Sequence, residues 1–184
     1  MNCLETIIAG FGGQGILSAG RILATSGLFE GKQVSWYPSY GPEMRGGTAN
    51  CGIVISDERI GSPVINNPDV AIVMNISSLE KFEATVKPGG ILIADSNLVP
   101  RKPNRDDIKS FYIPATEIAD KLGNSAYANI VLLGKLIKET NIATTHSFEK
   151  SLKDCLPQKK HHMIPDEMKA LKIGMEHEEE LATL

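Results

Sequence analysis

The chain has 184 residues, 42% of them apolar, and its 19 basic and 22 acidic side chains leave a net charge of −3. That length and apolar share suit one domain with a sizeable core, expected to span residues 1–184. The charge lacks the basic footprint of a nucleic-acid binder, no apolar run reaches the roughly 20 residues of a membrane span, and the acidic Glu5, with no basic region around it, does not read as the start of a secretory leader.

In chain order, the run Thr6-Ile7-Ile8-Ala9 predicts a first strand over residues 5–9. It runs directly into Gly10-Phe11-Gly12-Gly13-Gln14-Gly15. A helix is predicted over residues 14–29, with Ile16, Ala19, Gly20 and Leu23 on one face. A strand, a glycine-rich turn and a helix in that order open a doubly wound α/β fold, and Gly10, Gly12 and Gly15 match G-x-G-x-x-G. Amides at the helix start favour a phosphate or carboxylate, so Gly10, Gly12, Gly13, Gln14 and Gly15 are candidate binding residues. The alternative is a tight turn with no ligand. A dinucleotide site also requires an acid at the end of the second strand, and residues 33–37 run instead into Pro38-Ser39-Tyr40-Gly41-Pro42. Gly20 inside the helix costs about 1 kcal/mol relative to alanine, which implies a close helix–sheet contact.

Residues 38–47 hold glycines, prolines and Tyr40 around Glu43 and Arg45, directly after Tyr37. The Arg45 guanidinium can present a bidentate fork to an anion. The competing reading pairs Glu43 with Arg45, or either with a neighbouring subunit. Further strands are predicted over residues 49–55, 70–74, 91–94 and 111–113, with a turn over 59–63 and a helix over 76–86. Residues 98–109, rich in proline and charge, are expected to be an exposed, mobile loop. Thr116 is the expected N-cap of a helix to residue 122. Residues 126–139 predict an amphipathic helix on the sheet, and residues 148–156 and 165–180 two more, the last with Pro165 in its first turn. The fold class is thus α/β: one mostly parallel, doubly wound sheet with helices on both faces.

Cys3, Cys51 and Cys155 are scattered, without C-x-x-C spacing, so neither a disulfide framework nor a cluster-binding or zinc motif is expected. They read as reduced thiols of a cytoplasmic protein, with Cys51 a small core residue. His146, His161, His162 and His177 lie away from the strand ends, and no metal site is expected. No nucleophile–base arrangement or redox group is marked, so no catalytic residue is assigned.

The turn at residues 10–15 and the segment Tyr40-Gly41-Pro42-Glu43-Met44-Arg45-Gly46-Gly47-Thr48 carry a resemblance. So do Ile60-Gly61-Ser62-Pro63, Pro68-Asp69, Ala128-Asn129-Ile130-Val131-Leu132-Leu133-Gly134 and residues 170–174. Together they resemble the gamma subunit, or gamma domain, of the 2-oxoacid:ferredoxin oxidoreductases over nearly the whole chain. The resemblance implies a part that is not catalytic alone, packed on alpha and beta subunits and a ferredoxin-like subunit. Thiamine diphosphate and iron–sulfur clusters would lie on those partners. Coenzyme A would be the acyl acceptor near the gamma part, with Arg45 and the glycine turn as contacts. The 40–48 segment looks more like the 2-oxoglutarate and branched-chain members than the pyruvate members, and 2-oxoglutarate is favoured. An isolated chain with its partner face open is expected to form a homodimer. The alternatives are a stand-alone Rossmann-like nucleotide-binding protein and a binding module without an enzyme.

Overall fold

The computed structural model describes residues 3–40 and 48–178. Six strands run over Cys3–Phe11 (β1), Gln33–Tyr40 (β2), Thr48–Ser56 (β3), Val70–Val73 (β4), Ile91–Asp95 (β5) and Lys109–Ile113 (β6). They form one sheet in the order β2-β3-β1-β4-β5-β6. β1, β4, β5 and β6 pair in parallel, and β3 is antiparallel to both of its neighbours. The sheet is therefore mostly parallel, with β3 inserted between the first two strands of the chain. That insertion makes β2 an outer edge, a placement that the expected strand–helix alternation did not contain.

The strands divide the core by their two-residue period. Ile8, Ile72, Ile93 and Ile113 face one side, which also holds Cys51, Ile53 and Ile55 of β3. Ile7, Ala9, Ala71, Val73, Leu92 and Ala94 face the other. The first side carries the helices Ile16–Phe29 (α1), Ala115–Lys121 (α3), Ala128–Thr140 (α4), Thr145–Cys155 (α5) and Ile164–Glu176 (α6); the second carries Ile76–Phe82 (α2). A Cβ at Gly20 of α1 would overlap Cys51 Sγ and come within 3.0 Å of Trp36 Nε1, so the helix approaches the sheet as closely as its interior glycine implied. Burial pushes the Cys51 thiol up to about 12, which leaves it an inert core group.

Several elements differ from expectation for identifiable reasons. The segment after β5 is anchored rather than loose. Val99 and Ile108 are buried, and Arg101 forms a two-pronged ion pair with Glu83 at 2.9 and 3.3 Å. Arg105 donates to the carbonyls of Glu83 and Val86 at 3.0 and 2.6 Å. Prolines and charges there suggested solvent, but two of the charges satisfy a neighbouring helix end. Thr116 lies inside α3, whose N-cap is Pro114. α5 begins at Thr145, because Thr144 and Ser147 form a capping box ahead of the apolar residues. α6 ends at Glu176. No helix among the described residues is long and apolar enough to cross a membrane.

α4 is not an amphipathic surface helix. All its residues from Ala128 to Ile137 are buried, because α6 covers the face turned away from the sheet. Lys135, among them, places its ammonium 4.4 Å from the Phe111 ring centroid and 3.1 Å from the Glu139 carboxylate. The two helices touch backbone to backbone: a Cβ on Gly134 would overlap the Leu171 carbonyl, and one on Gly174 the Val131 carbonyl. Gly134→Ala should therefore lower unfolding free energy by about 2–3 kcal/mol, since backbone cannot yield as a rotamer can. Gly61→Ala, with open space around it, should stay within about 0.5 kcal/mol of the parent. Urea melts of both variants check this, and equal stabilities would refute the close crossing.

Glu167 of α6 is 6% exposed, its Oε2 has no hydrogen-bond partner among the described residues, and burial raises its carboxyl above the ordinary range despite Lys160. The folded state thus holds the proton longer than the unfolded chain. Its contribution to stability is fully present below the unfolded value of 4.5 and lost as pH rises through the folded value. Glu167→Gln should remove that loss, flattening the stability profile above pH 4.5 and leaving the variant more stable than the parent at neutral pH. Urea midpoints measured across pH decide it; parallel profiles for the two proteins would contradict the assignment.

Candidate functional site

In an open α/β sheet, ligands collect beyond the carboxyl ends of the strands where the connections diverge. Here that point lies between β1, which leads into α1 on the larger core side, and β4, which leads into α2 on the other. The turn of residues 10–15 occupies it. Gly13 and Gly15 have φ of 103° and 73°, a left-handed conformation that favours glycine. Gly15 is the N-cap of α1 and supplies no side chain to its first-turn amides.

The centre of the turn is filled by the chain itself. Gln14 Oε1 accepts from the Phe11 amide at 2.6 Å, and Gln14 Nε2 donates to the Met74 carbonyl at 3.0 Å. Asn129 Nδ2, from the first turn of α4, donates to the Gln14 carbonyl at 3.0 Å. The glycines serve these struts. A Cβ on Gly10 would lie 2.5 Å from Gln14 Oε1, and one on Gly15 would strike Asn129 Nδ2. Gly13, by contrast, faces open space.

Beside the turn lies a cleft of about 230 Å³, lined by Gly13, Gln14, Met74, Leu98, Thr116 and the start of α4 with its preceding 3₁₀ turn. Thr116 in this lining is tied to Asp95, a fully buried carboxylate at the end of β5. Asp95 accepts from the Thr116 hydroxyl at 2.5 Å and from the Asn97 amide at 3.1 Å. Asn97 Oδ1 in turn accepts from the Glu117 amide at 3.0 Å. The start of α3 is thus capped from β5, which explains why Thr116 is not its N-cap. Asn75 caps α2 through the Ser78 amide at 2.7 Å, and its buried Nδ2 has no partner among the described residues.

Of the candidate residues, the structure brings Gly10, Gly13, Gln14 and Gly15 together at the switch point, with Gly12 in the same turn. Arg45 and Glu43 fall outside the described residues. Asn129 was missed by sequence reasoning. Its signal was present as one amide side chain at the head of the otherwise apolar run from Ala128 to Gly134, since a buried polar group requires a partner. Among the described residues, no three His, Cys, Asp or Glu side chains gather as metal ligands.

Comparison with known proteins places these features in a family context. The family described as Pyruvate ferredoxin/flavodoxin oxidoreductase matches residues 5–177. The chain is 48% identical over 130 residues to the ketoisovalerate oxidoreductase subunit VorA of Methanothermobacter thermautotrophicus, covering 71% of this chain but 27% of that relative. It is 38% identical to the 2-oxoglutarate synthase subunit KorC of Methanocaldococcus jannaschii, with 84% of each chain covered. Among solved structures, the keto/oxoacid ferredoxin oxidoreductase gamma subunit of Geobacter sulfurreducens superposes with a TM-score of 0.83 at 29% identity over 96% of both chains. The chain thus spans about a quarter of the longer relative and most of the two shorter ones.

Gln14→Ala should cost about 1–2 kcal/mol, because it leaves the Phe11 amide and the Met74 carbonyl without their partners. Gln14→Glu should cost more at neutral pH than in mild acid. A carboxylate meets the Met74 carbonyl in the first case, and a protonated acid can donate to it in the second. Thermal melts at the two pH values check both variants; a silent Gln14→Ala would mean that the struts do not hold the turn.

Proposed function

The chain belongs to the pyruvate ferredoxin/flavodoxin oxidoreductase family, and on that premise we propose that it is the gamma component of a multi-subunit 2-oxoacid:ferredoxin oxidoreductase. Such an enzyme oxidatively decarboxylates a 2-oxoacid, transfers the acyl group to coenzyme A and passes the electrons to ferredoxin. The single observation that carries the reading is the end-to-end match to gamma-sized chains, with 84% of KorC and 96% of the Geobacter gamma subunit covered.

Thiamine diphosphate and iron–sulfur clusters, on alpha, beta and ferredoxin-like partner chains, supply the electron sink and the electron path when bound. The donor set of the described residues does not suit a cluster, because Cys3 is exposed, Cys51 is buried in the core and no ligand group surrounds either. This chain's own part is shape and contact. Gly12, Gly13 and the uncapped first turn of α1 form the edge facing the acyl acceptor, and Arg45 is a second anion contact. Gln14 holds the turn closed by its own carboxamide, so an anion docks outside it, at the exposed Gly13 side. The enzyme works in the cytoplasm, which suits three thiols without a disulfide.

2-Oxoglutarate is the substrate favoured by the match in length to KorC. A branched-chain 2-oxoacid is the second reading, carried by the higher identity to VorA. The test is anaerobic viologen reduction with coenzyme A and either 2-oxoacid. The purified chain alone should be inactive and colourless. Alpha, beta and the cluster-carrying chain should turn over only when it is added, and the preferred 2-oxoacid should show the higher kcat/KM. Full activity of the partners without this chain would overturn the assignment.

A further inference from the structure

We infer that the outer edge of β2 is a docking site for an extended segment of a partner subunit that carries a carboxylate. The inference rests on the reading of this chain as a subunit. β2 pairs with β3 on one side only, and among the described residues no backbone bond reaches its outer side. An edge of eight residues left open is a template for another strand. The opposite edge, β6, has five residues, and Lys135 lies over its Phe111.

Each flank of the β2 edge presents an exposed aromatic side chain. On the α1 side, Val34 packs at Gly27 and the Trp36 indole at Gly20, with Trp36 still 38% exposed. On the other side, Tyr37 lies opposite Gly52, the residue over which Ile65 and Pro63 fold, and it is 54% exposed. A docked strand sends alternate side chains to the two faces, and each face here offers it apolar contact.

The charge is specific as well. A groove of about 650 Å³ runs beside Gln33 and Ser35, walled by Arg59, Ile60 and Pro63. Arg59 is exposed, and its guanidinium makes no hydrogen bond or ion pair with any described residue. Among the described residues, the lining carries no acid. A partner carboxylate on that face satisfies it. A second copy of this chain does not, because a twofold pairing of β2 with itself sets two Arg59 side chains on one face beside the axis. Pro38, without an N–H, confines the pairing to the half of β2 from Gln33 to Tyr37, where the groove lies.

Hydrogen exchange of this chain, alone and assembled with its alpha and beta chains, tests the inference. Amides of residues 33–37 should slow by about tenfold or more on assembly. Arg59→Glu should weaken assembly by about tenfold with an unchanged melting temperature, and Arg59→Lys should stay near the parent. A complex in which β2 exchanges as freely as in the isolated chain, or an Arg59→Glu variant that assembles normally, overturns the docking site and leaves the subunit reading intact. Failure of any complex to form overturns the subunit reading, and the docking site with it. A dimer of the isolated chain with β2 protected assigns the edge to a second copy and also overturns the proposal.

Discussion

Four elements meet at Gln14, and the rest of the site depends on that meeting. Its carboxamide joins the end of β1 to the end of β4, and its carbonyl receives Asn129 from α4 while α1 starts one residue after Gly15. Each bond contributes only about 1 kcal/mol net, but the three tie together elements that are far apart in the sequence. The three together set how far β1 and β4 separate and where α4 sits. Gly10 and Gly15 are glycines because the struts occupy the space a Cβ would need.

This arrangement changes how the glycine fingerprint is read. In a dinucleotide site, the glycines let a phosphate approach the backbone. Here two of the three spaces are filled by the chain's own amides, and the strand that should end in a ribose-binding acid lies beyond β3 at the sheet edge. The same local sequence therefore builds a rigid corner. A rigid corner suits a component whose proposed role is to present surface to partner chains rather than to perform chemistry.

The larger core side is three layers deep, and the Gly134–Gly174 crossing makes that possible. With backbones in contact, α6 seals α4 against the sheet and leaves a buried lysine and a buried glutamate to find local solutions. Lys135 finds them in Glu139 and the Phe111 ring. Glu167 does so in part, and its raised pKa is the consequence. The other side is thinner: α2 and the pinned segment after β5 cover β4 and β5, and among the described residues no strand pairs with the outer edge of β2.

The sequence alone determined the strands, the turn and most helices, because these follow from local pattern: Thr6-Ile7-Ile8-Ala9, closed by a glycine turn, reads as buried strand, and Gly13 and Gly15 mark backbone that few other residues adopt. It also marked the family, through motifs spread in order along the chain. Tertiary structure alone decided the rest, where partners distant in sequence compete. The antiparallel place of β3 is set by pairing with β1 and β2, which no local pattern encodes. The cap of α3 comes from Asp95, 21 residues before Thr116, and the partner of Gln14 from Asn129, 115 residues on. Arg101 and Arg105 read as solvated charges until Glu83 and the carbonyls around it are brought beside them. Long-range hydrogen bonds of this kind leave no periodicity behind, so they become visible only when the chain has folded.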